Sequence, residues 1–195
     1  MQITIQAAHL RAVALAMPSN GVRKYLNGVR VEVTRTGTTL VATSGSMLHA
    51  AHRAQDNLEE AEFTIPAAVV EKMLRNKKAT EFAVIFAPGG EEYTLHVPAL
   101  STTFTLVKEF FPDWKHFLTH LHPDETHTIS DPELMARAWK ACEIMGCKHP
   151  IFNTYARGNQ AFFMVDFCAI VAPLYSSALC YGLADAPAWA KVGEN

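Results

Sequence analysis

The order of predicted elements repeats along the chain, and this repeat limits the possible folds more than any single motif does. A short alternating strand at residues 3–5 precedes a helix at 8–17 with apolar residues at helical spacing, and several strands follow. The same order returns near Phe63 and again near His127. The pattern predicts an α+β fold in which helices pack on antiparallel sheets.

Turn and capping residues set the expected element boundaries. Pro66 suits the first turn of a second helix, and the sequence Ser130-Asp131-Pro132-Glu133 combines a capping box with proline at the first helical position of a third. Gly146 ends that helix.

The predicted strands fall on both sides of a linker. The segment 49–54 either continues the strand at 39–42 or forms a separate one. Further strands are predicted at 25–33, 63–65, 82–86, 93–97, 103–107, 150–156, 161–165 and 169–175. Residues 120–127 form a linker, so we expect one domain at 1–120 and a shorter one at 121–195.

Composition limits the class of protein. Apolar residues make up 49% of the chain, which is enough for a packed core. The formal net charge is −2, so any contact with nucleic acid must come from a local basic face. The N-terminus lacks the pattern of a signal peptide, and no apolar run reaches the length that spans a membrane. We expect a soluble cytoplasmic protein with no membrane partner.

Cysteine and histidine raise the question of a metal site. Cys142, Cys147 and His149 could hold zinc, but the cysteine spacing is wider than that of a zinc hook and no second pair lies nearby. Free cysteine is also a frequent core residue. The pattern therefore favours buried thiols over a metal site.

An enzyme is one class of function that the sequence has to be tested for. The residues that best suit an enzyme are possible ligands of a loose metal site in the linker: His116, His120, His122, Asp124 and His127. No triad order, metalloprotease helix or phosphate-binding loop accompanies these residues. We therefore expect no catalytic residue, no cofactor and no bound metal.

Four motifs follow one another in a specific order over residues 2–118. They read R-K-Y-L-N-G-V from Arg23, L-V-A-T-S-G-S-M-L from Leu40, F-T-I-P from Phe63 and F-P-D-W from Phe111. Together they resemble the middle domain of the bacterial DNA sliding clamp, the beta subunit of DNA polymerase III. The resemblance implies a DNA-clamp-like fold of about one and a half clamp domains.

The tail admits two alignments with the clamp family. Within residues 127–175, the predicted helix and hairpin look like the first half of the next clamp domain. Alternatively, the apolar run from Ala169 to Leu174 is similar to the V-V-M-P-M ending of a clamp, which would make this segment the last half. Both alignments give half a domain.

The family encircles duplex DNA with helices lining the hole, so the resemblance implies basic residues on the inward helix faces. Such residues stay close to phosphates without distinguishing bases. Each of them could instead be an ordinary solvated charge, but their presence on all three predicted helices favours the DNA-facing role. The candidates are Arg11, Lys72, Arg75, Lys77, Lys78, Arg137 and Lys140.

The resemblance also implies a pocket for short peptides of partner proteins between the middle and last domains. The residues carried over are Tyr25, Leu26, Thr43, Gly45, Ser46, Met47, Leu48 and Phe117, with Val171, Ala172, Pro173 and Leu174 added by the second alignment of the tail. Plain core packing is the alternative role of these side chains. Ser44, Ser46 and Met47 replace the usual Asp, His and Arg of clamps, so the pocket should be more apolar.

Two functions follow from the resemblance. One is a processivity or scaffold protein that self-associates and holds replication or repair proteins on duplex DNA. The other is a peptide-binding module or clamp mimic, phage or mobile-element encoded, that engages clamp partners or a host clamp without encircling DNA. The net charge near zero does not distinguish them.

Overall fold

Eleven strands in two antiparallel sheets and four helices make up the part of the chain that the computed structural model describes, residues 2–18, 26–89, 92–97, 102–105, 110–123 and 130–173. The strands are β1 (Gln2–Gln6), β2 (Gly28–Thr34), β3 (Gly37–Thr43), β4 (Met47–Ala54), β5 (Ala61–Pro66), β6 (Glu81–Gly89), β7 (Glu92–Val97), β8 (Thr102–Thr105), β9 (Asn153–Tyr155), β10 (Asn159–Phe163) and β11 (Phe167–Val171). The helices are α1 (Ala7–Ala14), α2 (Ala67–Arg75), α3 (Trp114–Thr119) and α4 (Pro132–Ile144). A 3-10 turn, Ala156–Gly158, joins β9 to β10.

The larger sheet has seven strands in the order β5-β2-β3-β4-β11-β10-β9, and the smaller has four in the order β1-β6-β7-β8. The antiparallel pair β4–β11 joins the first part of the chain to the last, with Leu48 opposite Ile170 and Ala50 opposite Cys168. One sheet therefore continues across the domain boundary expected at residue 120.

The larger sheet is covered on one face by α1, α2 and α4. Alternate residues of β2 point into this layer, and Val29, Val31 and Val33 are all buried there. Leu10 of α1 and Met73 of α2 are fully buried in the same core. The strand period of two and the helical period of 3.6 together produce this layer of helices on a sheet.

The opposite face of the larger sheet carries a smaller apolar cluster. Val41, Leu48 and Ile170 lie in it, and Trp114 and Leu118 of α3 pack against it. Helix α3 was not predicted from the sequence, because its six residues are too few to show a helical period. Its aspartate cap is visible only in the structure, where the Asp113 carboxylate accepts a hydrogen bond from the His116 amide at 2.9 Å.

Helix α4 begins and ends close to the predicted residues. Asp131, rather than Ser130, is the capping residue, and its carboxylate accepts a hydrogen bond from the Glu133 amide at 2.8 Å. Pro132 occupies the first turn, and Gly146 takes the left-handed conformation, with φ of 91°, that follows many helices. The structure also resolves the open choice at 49–54, because β4 is a strand of its own.

Several predicted element boundaries differ from those in the structure. The strand expected at 25–33 begins at Gly28, and residue 25 lies outside the described residues. The strand expected at 169–175 begins earlier, at Phe167, and ends at Val171. The strands expected at 150–156 and 161–165 are Asn153–Tyr155 and Asn159–Phe163, with the turn at Ala156–Gly158, since Asn159 already pairs with Tyr155. Among the described residues, no helix is both long and apolar enough to cross a membrane.

Candidate functional site

A cavity of about 270 Å³ opens on the α3 face of the larger sheet, where β4 and β11 meet. The Leu48–Ile170 pair forms part of its lining, and Trp114 and Phe117 contribute from α3. Most of the lining atoms are apolar, and Asp113 supplies the charged side chain. The full lining is Leu26, Thr43, Gly45, Ser46, Met47, Leu48, Pro112, Asp113, Trp114, Phe117, Asn159, Ile170 and Ala172.

The loop between β3 and β4 forms one rim of the cavity and is held by its own backbone. The Thr43 hydroxyl accepts a hydrogen bond from the Gly45 amide at 3.0 Å, and the Ser44 amide donates to the Met47 carbonyl at 3.0 Å. Gly45 has a φ of 91°, which favours glycine at this turn. The Ala172 amide donates to the Ser46 carbonyl at 2.8 Å, so the end of the last strand is tied to this rim.

The opposite rim is fixed by Trp114. Its indole Nε1 donates a hydrogen bond to Glu32 Oε1 of β2 at 2.7 Å, and Lys115 Nζ lies 2.6 Å from the other oxygen of the same carboxylate. Glu32 is mostly buried, with 13% of its side chain exposed. A charge-assisted hydrogen bond to a mostly buried carboxylate restrains the first residue of α3 and therefore the direction of Phe117 one turn later.

The structure brings most of the predicted pocket residues together. Eight of them line the cavity: Leu26, Thr43, Gly45, Ser46, Met47, Leu48, Phe117 and Ala172. Two predicted residues do not. Val171 is fully buried in the core beneath the helices, and Pro173 pairs with Ser130 at the end of the strand. Tyr25 and Leu174 lie outside the described residues.

The exclusion of Val171 follows from the alternation of side chains along a strand. Ile170 and Ala172 point to the cavity, so the residue between them must point to the opposite face. Five residues of the lining were not predicted from the sequence: Ile170, Asn159, Pro112, Asp113 and Trp114. The F-P-D-W motif was a usable signal for the last three, whereas nothing in the sequence links Asn159 to this site.

The predicted DNA-facing residues fall into two groups. Lys72, Arg75, Lys77 and Lys78 are exposed at the C-terminal end of α2 and the turn after it. Within the described part of the chain none of these four forms an ion pair. They provide a local concentration of positive charge on the helix side of the larger sheet.

The other three basic residues make contacts inside the protein. Arg11 Nη2 donates to the carbonyls of Asn76, Lys77 and Ala79 at 3.1 to 3.2 Å, so it holds the turn after α2. Arg137 Nη2 donates to the Met17 carbonyl at 2.8 Å. Lys140 pairs with Glu143 at 2.8 Å on the exposed side of α4. Arg11 and Arg137 therefore also act as capping residues, since each donates to carbonyls just after the end of another helix.

His49 is a fully buried titratable group between α1 and β4. Its Nδ1 donates to the Ala12 carbonyl at 2.9 Å, and its ring meets the edge of Phe167 with centroids 5.7 Å apart. Burial lowers the pKa of His49 from 6.5 to about 4, so the ring is neutral at pH 7. The side chain acts here as part of the core and not as a ligand or base.

The described cysteines are free thiols. Burial raises the pKa of Cys142 to about 12 and that of Cys168 to about 11, which opposes formation of a nucleophilic thiolate. Cys147 is half-buried, and Cys180 lies outside the described residues. In the portion described, no three His, Cys, Asp or Glu side chains come together in a way that could hold a metal ion. Asp124 and His127 of the linker hypothesis fall outside that portion.

Comparison with known families gives one match, to the central domain of the DNA polymerase III beta subunit, over residues 4–113. The chain belongs to the DNA polymerase III beta subunit family. The matched segment contains the β3–β4 rim of the cavity and ends at Asp113, just before α3. A comparison with curated proteins found no match.

Solved beta subunits share the fold at low sequence identity. The structure of the beta subunit from Thermotoga maritima matches with a TM-score of 0.63 and 12% identity, over 90% of this chain and 65% of that one. The sliding clamp from Pseudomonas aeruginosa, solved with a ligand, matches with a TM-score of 0.62 and 15% identity, over 90% and 66%. The clamp from Bartonella birtlesii gives 0.63 and 12%, over 91% and 66%. This beta-family chain therefore spans about two thirds of the length of these clamps.

Proposed function

We propose that this beta-family chain is a clamp-like scaffold that binds short peptides of replication or repair proteins and holds those proteins on duplex DNA. The observation that carries the proposal is the cavity at the β4–β11 seam. Its apolar lining, with few polar groups and a volume of about 270 Å³, suits a leucine or phenylalanine anchor of a peptide.

The position of the last strand supports the second alignment of the tail. Ile170 and Ala172 lie at the cavity beside the β3–β4 rim, as expected if residues 169–174 correspond to the end of a clamp chain. On this alignment the segment after residue 120 acts as the last half of a clamp domain. The peptide site then lies between the middle domain and the last one, as the family resemblance implies.

The replacement of charged family residues at the rim supports a changed peptide preference. Ser44, Ser46 and Met47 stand where clamps usually have Asp, His and Arg, and Met47 is buried. The remaining charged group of the lining is Asp113, which is exposed. A peptide with apolar anchors and a neutral or basic flank fits this rim better than an acidic one.

Contact with DNA is supported by the basic group at the end of α2. Lys72, Arg75, Lys77 and Lys78 are exposed, and Arg11 holds the turn that carries the last two. Non-specific attraction to phosphates needs such a cluster and no base-specific contacts. We expect weak, salt-sensitive binding to duplex DNA.

A peptide-binding module that does not encircle DNA is the second candidate. One observation favours it: Arg11, Arg137 and Lys140 are engaged in contacts within the protein. Light scattering of the purified protein distinguishes the two. An oligomer supports a closed clamp, whereas a strict monomer supports the module.

Removal of one aromatic wall tests the peptide site. Phe117→Ala should weaken binding of a fluorescent peptide with a single leucine anchor about tenfold, because the anchor loses one apolar neighbour. Phe110→Ala is the matched control, since Phe110 is 81% exposed and does not line the cavity. Fluorescence anisotropy measures both. Equal affinities for the two variants, or no binding to the unsubstituted protein, would contradict the proposal.

A further inference from the structure

A second cavity lies next to the first on the same face of the larger sheet. Its volume is about 240 Å³, and Trp114 lines both cavities. The β4 residues Ala50 and His52 and the β11 residue Cys168 contribute to its lining, with Met164 and Val165 from the turn between β10 and β11. Of the residues in the four family motifs, Trp114 is the one that lines this second cavity.

The two cavities follow the same pair of strands. Leu48 and Ile170 face each other in the first cavity, and Ala50 and Cys168 face each other in the second. Two residues along a strand correspond to about 7 Å, so the second cross-strand pair lies one side-chain repeat beyond the first. The second space exists because alanine and cysteine are small where the preceding pair is large.

The outer rim of the second cavity is unusually apolar for an exposed turn. Val165 is 104% exposed and Met164 is 36% exposed, and Phe163 before them is 46% exposed. The polar residues of the lining are Thr39, His52 and Asp166, and the Nδ1 of His52 lies 3.0 Å from the Thr39 hydroxyl. A mainly apolar cavity beside exposed apolar side chains is the kind of surface that a partner covers.

We propose that the second cavity binds a second apolar side chain of the same partner peptide, two residues away from the one in the first cavity. This inference rests on the proposed function, because it extends the same binding site. The occupant is an extended peptide, since its side chains repeat on one side every two residues, which is the repeat of the two cross-strand pairs. Trp114 then lies beside both anchors and separates them.

Peptides with one or two anchors test the inference on the unsubstituted protein. One peptide carries a single leucine in a serine and glutamine background. Two others add a second leucine two residues before or two residues after it, because the direction of the peptide along the strands is open. One of the two-anchor peptides should bind about tenfold more tightly than the single-anchor peptide.

Filling the second cavity should remove this gain. Ala50→Leu occupies the space between β4 and Trp114, so the two-anchor peptide should bind no more tightly than the single-anchor one, whose affinity stays unchanged. Ala54→Leu is the matched control, because Ala54 is exposed on the same strand and does not line the cavity. Val165→Ser gives a second variant in an exposed turn, and it should reduce the gain without affecting folding.

The outcomes separate the two proposals. If the single-anchor peptide does not bind the unsubstituted protein, the proposed function and this inference both fail. If it binds and neither two-anchor peptide binds more tightly, this inference alone fails. A further peptide carries its two leucines four residues apart, and a gain for that peptide alone would overturn the extended peptide in favour of a helix. A change in the light-scattering mass of Ala50→Leu would overturn it in favour of a second copy of the chain.

Discussion

Lowering the pH from 7 to 4 should remove stability that depends on a neutral His49. The ring is fully buried, donates from Nδ1 to the Ala12 carbonyl, and has no hydrogen-bond partner for Nε2 among the described residues. Burial lowers the pKa of His49 from 6.5 to about 4, so between these values the unfolded chain binds a proton that the folded chain does not. Stability therefore rises with pH across this window and is lost as the pH falls.

The size of the effect follows from the two pKa values of His49. The difference between 6.5 and about 4 corresponds to about 3 kcal/mol, at ~1.4 kcal/mol per pH unit. That is a large part of the ~5–15 kcal/mol by which small domains are stable. Burial also lowers the pKa of His9, which acts in the same direction. The measurement must therefore separate the contribution of His49 from that of His9.

His49→Gln isolates the titration, because glutamine is similar in size, can donate to the Ala12 carbonyl and does not change charge. Urea unfolding at pH 7, 6, 5 and 4, followed by tryptophan fluorescence, gives the free energy of unfolding of both proteins. The unsubstituted protein should lose about 3 kcal/mol more than His49→Gln between pH 7 and 4. His122→Gln, at an exposed position, serves as the control and should keep the unsubstituted pH dependence. Parallel curves for the protein and His49→Gln would refute the reasoning.

Two further predictions concern charge and the helix contacts. Lys77→Gln should weaken binding to duplex DNA several-fold and reduce the slope of log affinity against log salt by about 1, whereas Lys115→Gln, on the opposite face of the sheet, should leave both unchanged. Equal slopes for the two variants would argue against DNA at the α2 turn. Arg137→Ala should lower the free energy of unfolding by about 1–3 kcal/mol, since a carbonyl after the end of α1 loses its donor. Lys140→Ala should lower the free energy of unfolding much less, because its ion pair with Glu143 is exposed to solvent. Urea unfolding measures both, and equal losses would contradict the capping role.

Local sequence patterns predicted the helices and strands that have a regular apolar period or clear capping and turn residues at their ends. The proline and capping residues before α4 and the glycine after it set its ends to within one or two residues. The alternation of Val29, Val31 and Val33 gave the buried face of β2. Such features depend on neighbours in the chain, so the sequence alone contains them.

Features that depend on distant partners were not predictable in the same way. The apolar run from Ala169 to Leu174 has no polar alternation, so it does not show that Ile170 faces the cavity while Val171 faces the core. Arg11 and Arg137 contact carbonyls 65 to 120 residues away, and their capping roles appear only after folding. The family motifs predicted most of the cavity residues, because family members share the fold that brings these distant segments together.

The most direct test of the peptide cavity is to map a bound peptide on the protein by amide chemical shifts. A single-leucine peptide is added to the isotopically labelled chain, and shifts are followed residue by residue. We predict changes concentrated in the segments 43–48, 112–117 and 170–172, which contain most of the residues that line the cavity. Changes confined to other surfaces, or none at saturating peptide, would contradict it.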